Sequence, residues 1–432
     1  MNQSIENRGI VGTAMRAAIA TALGLCLIFK AGFARAEFQA GIASVDVTPS
    51  KQMGVSGGLG APAPTTQTKG KLEVRALVFA DGPTRVAIVS VPFIGFPGVL
   101  ADRVRAKVTD LRPDAIMIGA THTHSAPDMY AFLDEKGNCT ADLEYIDFVV
   151  GKAAAAINEA AAKLRPATLK IGTDKAKGKI AYNYYAPQLY DPRCSVLQAI
   201  GADGKPFATL VNYAIHPEVL GPGRGILAPD LVGPLYDRIA AQGGGMGIFM
   251  NGAQGGMVTA DCRGPDGKDI QTWEECIRIG DLLADEALRI AAAAPVQKSP
   301  ALWHGATPIM LACDNPVFRT IIKTSPLKYT IAEDGTVTTQ LNLINVGTAQ
   351  MLTIPGEALP NVGYYLKRNM FGDSNFLFGL TNDAFGYMMV KEDFNSFDRY
   401  EYISRTSLGE NAADRYVEQA LAFVNASPRP VK

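Results

Sequence analysis

Apolar and polar positions follow one another along this chain in two kinds of pattern. Short apolar runs rich in β-branched residues, bounded by Gly, Asp or Pro, predict strands over residues 75–79, 85–91, 115–120, 195–200, 208–215, 247–250 and 336–343. Long Ala-rich segments predict helices over 143–164, 231–241, 272–294 and 411–424. Thr140 or Asp142 is placed to cap the first of these. Asp81-Gly82 and Asp203-Gly204 separate paired strand runs and predict hairpins, because Asp-Gly suits turns that need a positive φ. The sum is an α/β fold of mixed β-sheets with hairpins, flanked by helices, without a clean βαβ repeat. Residues 54–70 form a long Gly/Pro/Thr loop, which reads equally as a rim over a site or as a mobile connection.

Composition changes this picture little. The chain has 432 residues, 47% hydrophobic and 19% charged, which is ordinary for a globular protein with a substantial core. A net charge of −1 and the lack of basic runs exclude nucleic acid as an expected partner. The first 36 residues read differently. Arg8 and Arg16 precede an apolar stretch over 17–29, and Ala34-Arg35-Ala36 supplies a cleavage site. That is the layout of a secretory signal peptide, too short for a comfortable membrane span. The expectation is an exported protein, periplasmic or extracellular, with one catalytic domain over 37–432. Five cysteines follow the leader, and Cys262 and Cys276, bracketing a Gly- and Asp-rich loop, are the preferred disulfide pair.

Candidate chemistry sits where apolar runs break abruptly into polar residues, the place where α/β proteins commonly carry their sites. The chain has only four histidines. His122 and His124 end one such run in Thr121-His122-Thr123-His124-Ser125. In an extended chain residues i and i+2 point the same way, so both can face one metal, although a satisfied polar turn explains them as well. His216 ends another run before Pro217. Glu357 follows Pro355-Gly356, where it can be a ligand, a base, or the first-turn carboxylate of a following helix. His304 lies inside a strand-like run with no polar cluster and reads as structural. The two histidines His122 and His124, with His216 and Glu357, make a zinc set of imidazoles and a carboxylate with one position open for water, which suits hydrolysis. The Gly-rich stretch 247–261 brings backbone N–H groups and the Thr259 hydroxyl forward, but lacks the ending of a phosphate-binding loop.

These motifs, in this order, resemble the neutral (non-lysosomal) ceramidase family. "THTHSAPD" resembles the family's THTHSGP motif, "NYAIHPEVLG" its second histidine motif, "IPGEA" its PGE motif, and "TNDAFGYMMV" with Tyr400 its late tyrosine motifs. The resemblance implies a zinc-dependent hydrolase of N-acyl amides, with zinc held by His122, His216, Glu357 and Tyr387. His124 and Tyr400 would stand beside the metal. It implies the catalytic domain alone, without the C-terminal immunoglobulin-like domain that follows it in typical ceramidases.

Two places depart from the family. Thr259 stands where the family has a catalytic serine, with Met257 at a family aspartate. Asn183-Tyr184 stands where the family usually has Asn-Arg, so a substrate-binding arginine is missing. The metal set is kept and the substrate-contacting set is not. The expectation is therefore a zinc hydrolase of a small-molecule or lipid-like acyl substrate, with room for transient contact with a membrane surface. His124 handles a proton or the oxyanion, and Thr259 hydrogen-bonds the attacking water or the tetrahedral oxygen. Two other readings stay open: an esterase or lactonase on the same zinc site, and a secreted binding protein that has lost catalysis.

Overall fold

In the computed structural model, which describes residues 37–134 and 136–431, alternation along the strands sorts side chains into layers. The strands of the first sheet are β1 (Gln39–Asp46), β2 (Glu73–Asp81), β3 (Thr84–Val91) and β4 (Ile116–Ala120), in the order β4-β3-β2-β1. The second sheet has β5 (Thr168–Lys175), β6 (Arg193–Ile200), β7 (Pro206–Tyr213) and β8 (Met246–Asn251), in the order β8-β7-β6-β5. On β2, Leu77 and Phe79 point into a core shared with Leu169, Leu197, Leu210 and Ile248 of the second sheet. Their neighbours Ala76 and Val78 point the opposite way, onto helix α2 (Leu143–Ala162). The second sheet repeats the logic: Val196, Val211 and Phe249 face helices α3 (Val232–Ala241) and α4 (Trp273–Ala293). A period of two on each strand thus builds four layers, helix–sheet–sheet–helix.

Where both faces are covered, the strand is apolar throughout. All five residues of β4 are buried, as expected for a strand that pairs in parallel, here with β3 through helix α1 (Gly98–Arg105). β7 and β8 also pair in parallel, with α3 as the crossover. The two expected Asp-Gly hairpins are present, with φ of 57° at Gly82 and 76° at Gly204. Asp142 caps α2 by accepting from Tyr145 N at 3.0 Å.

The third sheet was mostly unmarked in the sequence. It orders β9 (Leu302–Ala312), β10 (Thr336–Val346), β11 (Ala349–Thr353) and β12 (Ser374–Phe378) as β9-β10-β11-β12. β10 was expected over 336–343, and the strand-like run around His304 falls on β9. β9 carries Pro308 and alternates exposed with buried residues, which an edge strand tolerates. Helices α5 (Pro316–Thr324), α6 (Pro360–Asn369), α7 (Glu401–Arg405) and α8 (Ala412–Ala426) complete the domain. α8 lies against β9, and Tyr416 at its centre donates to Thr353 O at 2.7 Å.

The expected disulfide is absent. Cys262 and Cys276 are both buried free thiols. Each is engaged separately: burial pushes the Cys262 thiol up to about 12 while it bonds Asp269, and Cys276, also raised by burial, bonds the Asp230 carboxylate. The expected leader, 1–36, lies outside the described residues. Among the described residues no helix is long and apolar enough to cross a membrane.

Candidate metal centre

Three strand ends converge on one point, one from each sheet. His122 follows β4 of the first sheet, His216 follows β7 of the second, and Glu357 follows β11 of the third. His122 Nε2 lies 3.3 Å from Glu357 Oε2, and His216 Nε2 lies 3.2 Å from the same oxygen. His124 Nε2 lies 3.4 Å from His122 Nε2. Nitrogen atoms of His122, His124 and His216 all fall within 4.8 Å of one another, so the group can hold a metal ion. Tyr387 stands beside Glu357 across a short parallel ladder of Glu357–Ala358 with Tyr387–Met388. The structure therefore brings together His122, His124, His216, Glu357 and Tyr387.

The backbone explains how these side chains are aimed. His122 has φ of 73°, a conformation that costs a non-glycine residue of order 1 kcal/mol. It is held there by bonds on both sides: Thr121 N to Val91 O at 2.9 Å and His122 N to Phe93 O at 2.9 Å. The expected reason for convergence, an extended i, i+2 pair, is thus not the one that operates. A left-handed turn at His122 brings its ring edge-on to His124, with centroids 4.9 Å apart.

Asn251, at the end of β8, ties two ligand segments together. Its Nδ2 donates to Thr121 O at 3.0 Å and to Ile215 O at 2.7 Å, the carbonyls just before His122 and His216. Its Oδ1 accepts from Ile215 N and Gly252 N. Glu357 lies on a short strand, with its N–H donating to Gly386 O at 2.8 Å, and α6 begins only at Pro360. The helix-capping reading of Glu357 is therefore excluded.

The tautomers follow from the second nitrogen of each ring. His122 Nδ1 contacts Ile94 O, and His216 Nδ1 contacts Val258 O at 2.8 Å. A carbonyl can only accept, so both rings carry their proton on Nδ1 and present an Nε2 lone pair to Glu357. Lone pairs facing a carboxylate repel it unless a cation or a proton lies between them. His216 Nε2 and Glu357 Oε2 are indeed buried without a hydrogen-bond partner. Donors held about 2.0–2.1 Å from one ion at tetrahedral angles stand roughly 3.3 Å apart, which is the spacing found here. The residues fit a small divalent cation such as zinc.

Electrostatics agree with this arrangement. Burial raises the Glu357 carboxyl, but the His122 and His216 rings outweigh it and hold Glu357 well below its usual range. Burial lowers His216, yet Glu357 and Glu218 overcome it and raise the ring to about 9. His124 moves the other way: burial, then the charges of His122 and His216, hold it well below its ordinary value. It is held neutral beside His216, whose pKa is raised.

His122, His124, Glu357 and Tyr387 line a cavity whose interior gives the centre of a water-sized sphere about 90 Å³. One water needs only ~10–15 Å³ by that measure. Apart from the cluster the walls are mostly apolar. They include Ile94, Phe132, Phe318, Ile321, Ile322 and Phe385, with Gly57, Gly58 and Leu59 at the rim. The long loop over 54–70 is thus a rim over this site.

Three expected residues, His216, Thr259 and Tyr400, are not in the lining. Thr259 sits on a short strand bridged to His216, and its neighbour Val258 supplies the carbonyl for the His216 ring. Tyr400 packs against Tyr185 and Phe397, at 5.7 and 5.4 Å between centroids. The cavity is lined instead by Tyr402, whose ring meets Tyr387 edge-on at 6.0 Å. Tyr184, at the place of the missing arginine, is exposed, and Asn183 before it spends its side chain on a turn, accepting from Tyr185 N and Ala186 N. The sequence reading missed Asn251, Tyr402 and Glu218. A tyrosine two residues from the chosen one was the available signal for Tyr402, and nothing marked Asn251.

No family model and no curated protein sequence matches the chain. Two solved structures do resemble it. One is a crystal structure of neutral ceramidase from Pseudomonas aeruginosa, with a TM-score of 0.72 and 16% identity over 92% of this chain and 76% of that one. The other, described as ceramidase complexed with C2, has a TM-score of 0.71 with the same identity and coverage. The fold expected from the sequence, a mixed α/β domain like that of neutral ceramidase, is the fold observed.

Proposed function

We propose that this protein is an exported zinc-dependent hydrolase that cleaves an N-acyl amide bond, as a ceramidase does. The observation that carries the reading is the donor cluster at the end of an apolar cavity. His216 Nε2 and Glu357 Oε2 are buried without partners and, with His122 Nε2, stand at the mutual spacing of tetrahedral ligands. His122, His216, Glu357 and Tyr387 would hold the ion. When bound, zinc supplies polarisation of the acyl carbonyl and a water nucleophile at neutral pH.

The chain's own residues do the rest. Phe132, Phe318, Ile321, Ile322 and Phe385 take the acyl chain and exclude bulk water from the scissile bond. His124 accepts the proton lost by the attacking water and hands it to the leaving nitrogen as the C–N bond breaks. The Tyr402 hydroxyl lines the cavity as a donor toward the oxygen on which charge develops. Thr259 and Tyr400 flank the cavity and enter as supports, the first for the His216 segment and the second for the tyrosine wall.

The test is parallel hydrolysis of N-acyl amides and matched esters by the purified protein, with metal analysis. Zinc near one equivalent, chelator-sensitive turnover and preference for the amide are expected. His216→Ala should lose most of the zinc and at least about a thousandfold in turnover. Preference for the ester would move the reaction to C–O bonds. Full zinc with no turnover on a broad acyl panel would leave only a binding protein.

A further inference from the structure

His124 meets different chemistry at its two ring nitrogens. Nε2 faces His122 Nε2 at 3.4 Å. Nδ1 faces Glu218 Oε2 at 3.7 Å, just beyond hydrogen-bond length. The backbone holds this carboxylate near both histidine segments. His124 N donates to Pro217 O at 3.2 Å, and Glu218 N donates to His216 O at 3.0 Å. The Glu218 side chain is only 22% exposed, and among the described residues no lysine or arginine pairs with it. A carboxylate so covered acts on the imidazoles around it: it helps to raise His216, and it approaches His124 at Nδ1.

A neutral imidazole carries one N–H. A carboxylate accepts and does not donate, so the proton is favoured on the nitrogen beside it. At the other nitrogen, His122 Nε2 is turned toward the donor cluster, and an ion held there would consume its lone pair. We propose that Glu218 is a positioning residue that holds His124 in its Nδ1–H tautomer, leaving the Nε2 lone pair directed at the reacting centre. A ring in the opposite tautomer would present an N–H to the attacking water and could not take its proton. What Nε2 then does rests on the hydrolase reading, whereas the tautomer does not. The Gly57 backbone also hydrogen-bonds the His124 ring and is the competing explanation for its orientation.

With four histidines in the chain, each ring can be assigned in long-range ¹H–¹⁵N spectra of histidine-labelled protein by single substitutions. The full-length protein is measured with zinc and without it. In the zinc-loaded protein His124 should show a protonated Nδ1 and a bare Nε2. Glu218→Leu keeps the bulk, removes the acceptor and should move the proton to Nε2 or mix the two forms. kcat should fall about 10–100-fold, with KM within about twofold and zinc content unchanged. Glu218→Gln keeps an acceptor oxygen and should retain the Nδ1–H form and most of kcat.

A wild-type ring protonated on Nε2 would overturn the proposal. So would Glu218→Leu leaving Nδ1–H in place, since the Gly57 backbone would then suffice. If Glu218→Leu does not fold, the wild-type spectrum and that of Glu218→Gln decide. A wild type that hydrolyses nothing, yet shows the Glu218-dependent tautomer, would sink the hydrolase reading and leave this one standing.

Discussion

Two regions of the molecule each enclose a histidine, His304 half-buried and His216 fully buried, and they treat it in opposite ways. His304 lies on β9 with its Nε2 bonded to Asn342 Nδ2 at 2.8 Å and the Asp114 backbone at the ring. Its neighbours satisfy it, and burial lowers its pKa to about 4. His216 has one nitrogen satisfied by Val258 O and the other without a partner beside Glu357. Burial acts to lower it too, but two carboxylates raise it to about 9. Residue type does not separate the two, and burial pushes both rings in the same direction. The difference is an unspent polar atom: a folded chain rarely leaves one inside without a reason, so the leftover atom marks the site.

Four substitutions test that contrast, the largest effect first. Glu357→Gln keeps the shape of the cluster and removes the charge that sets His216 apart. Zinc affinity by calorimetric titration should fall at least about a hundredfold, more than the loss of an outer-shell partner costs. Retained affinity would mean that the three imidazoles alone hold the ion. Next, Tyr402→Phe should reduce kcat/KM about tenfold, while Tyr400→Phe changes it less than about twofold. The reverse ranking would return Tyr400 to the reacting centre.

The smallest effect belongs to His304→Gln, which should leave zinc content and turnover unchanged and alter only stability against acid. With a folded pKa of about 4 against an ordinary 6.5, His304 binds its proton more readily in the unfolded chain. Its contribution is fully present above pH 6.5 and fades as pH falls toward 4. The wild type should therefore lose on the order of 1–3 kcal/mol over that window that the variant keeps, read from urea unfolding at pH 7 and at pH 4.5. Loss of zinc in this variant would erase the contrast.

The same contrast shows what a sequence displays and what it hides. Helices α2, α3, α4 and α8 were legible because each is long and Ala-rich, and β2, β3, β4, β6, β7 and β8 because apolar runs end at Gly, Asp or Pro. β5 was not, because Thr168–Lys175 mixes Lys and Asp into its alternation, and β9 showed only as the strand-like run around His304, before Pro308 interrupts it. In the site, the ligands were found at strand ends and through the family resemblance, and the structure gathers them. The geometric reason given for His122 and His124 did not survive, because a left-handed residue is invisible in the letters. Tyr400 and Tyr402 show a related limit. The chain turns helical here, through Asp398–Tyr400 and then α7, and residues two apart on a helix face away from each other. Only one of them can reach the cavity, and motif spacing does not say which. Asn251 has no signature at all, since its role is to bond two backbones that meet only after folding.

That His122, His216 and Glu357 each follow a strand of a different sheet has a consequence for how an ion held there would act on the domain. None of them can bind the ion alone, so an ion at this point acts as a clasp across all three. Its binding energy would be shared among interfaces far from the cavity, and stripping it would loosen sheets that contain no ligand chemistry of their own beyond one side chain each. Because the third sheet brings its carboxylate last in the sequence, a partly made or partly opened chain has no centre. Holding the metal becomes a report that the whole domain has closed.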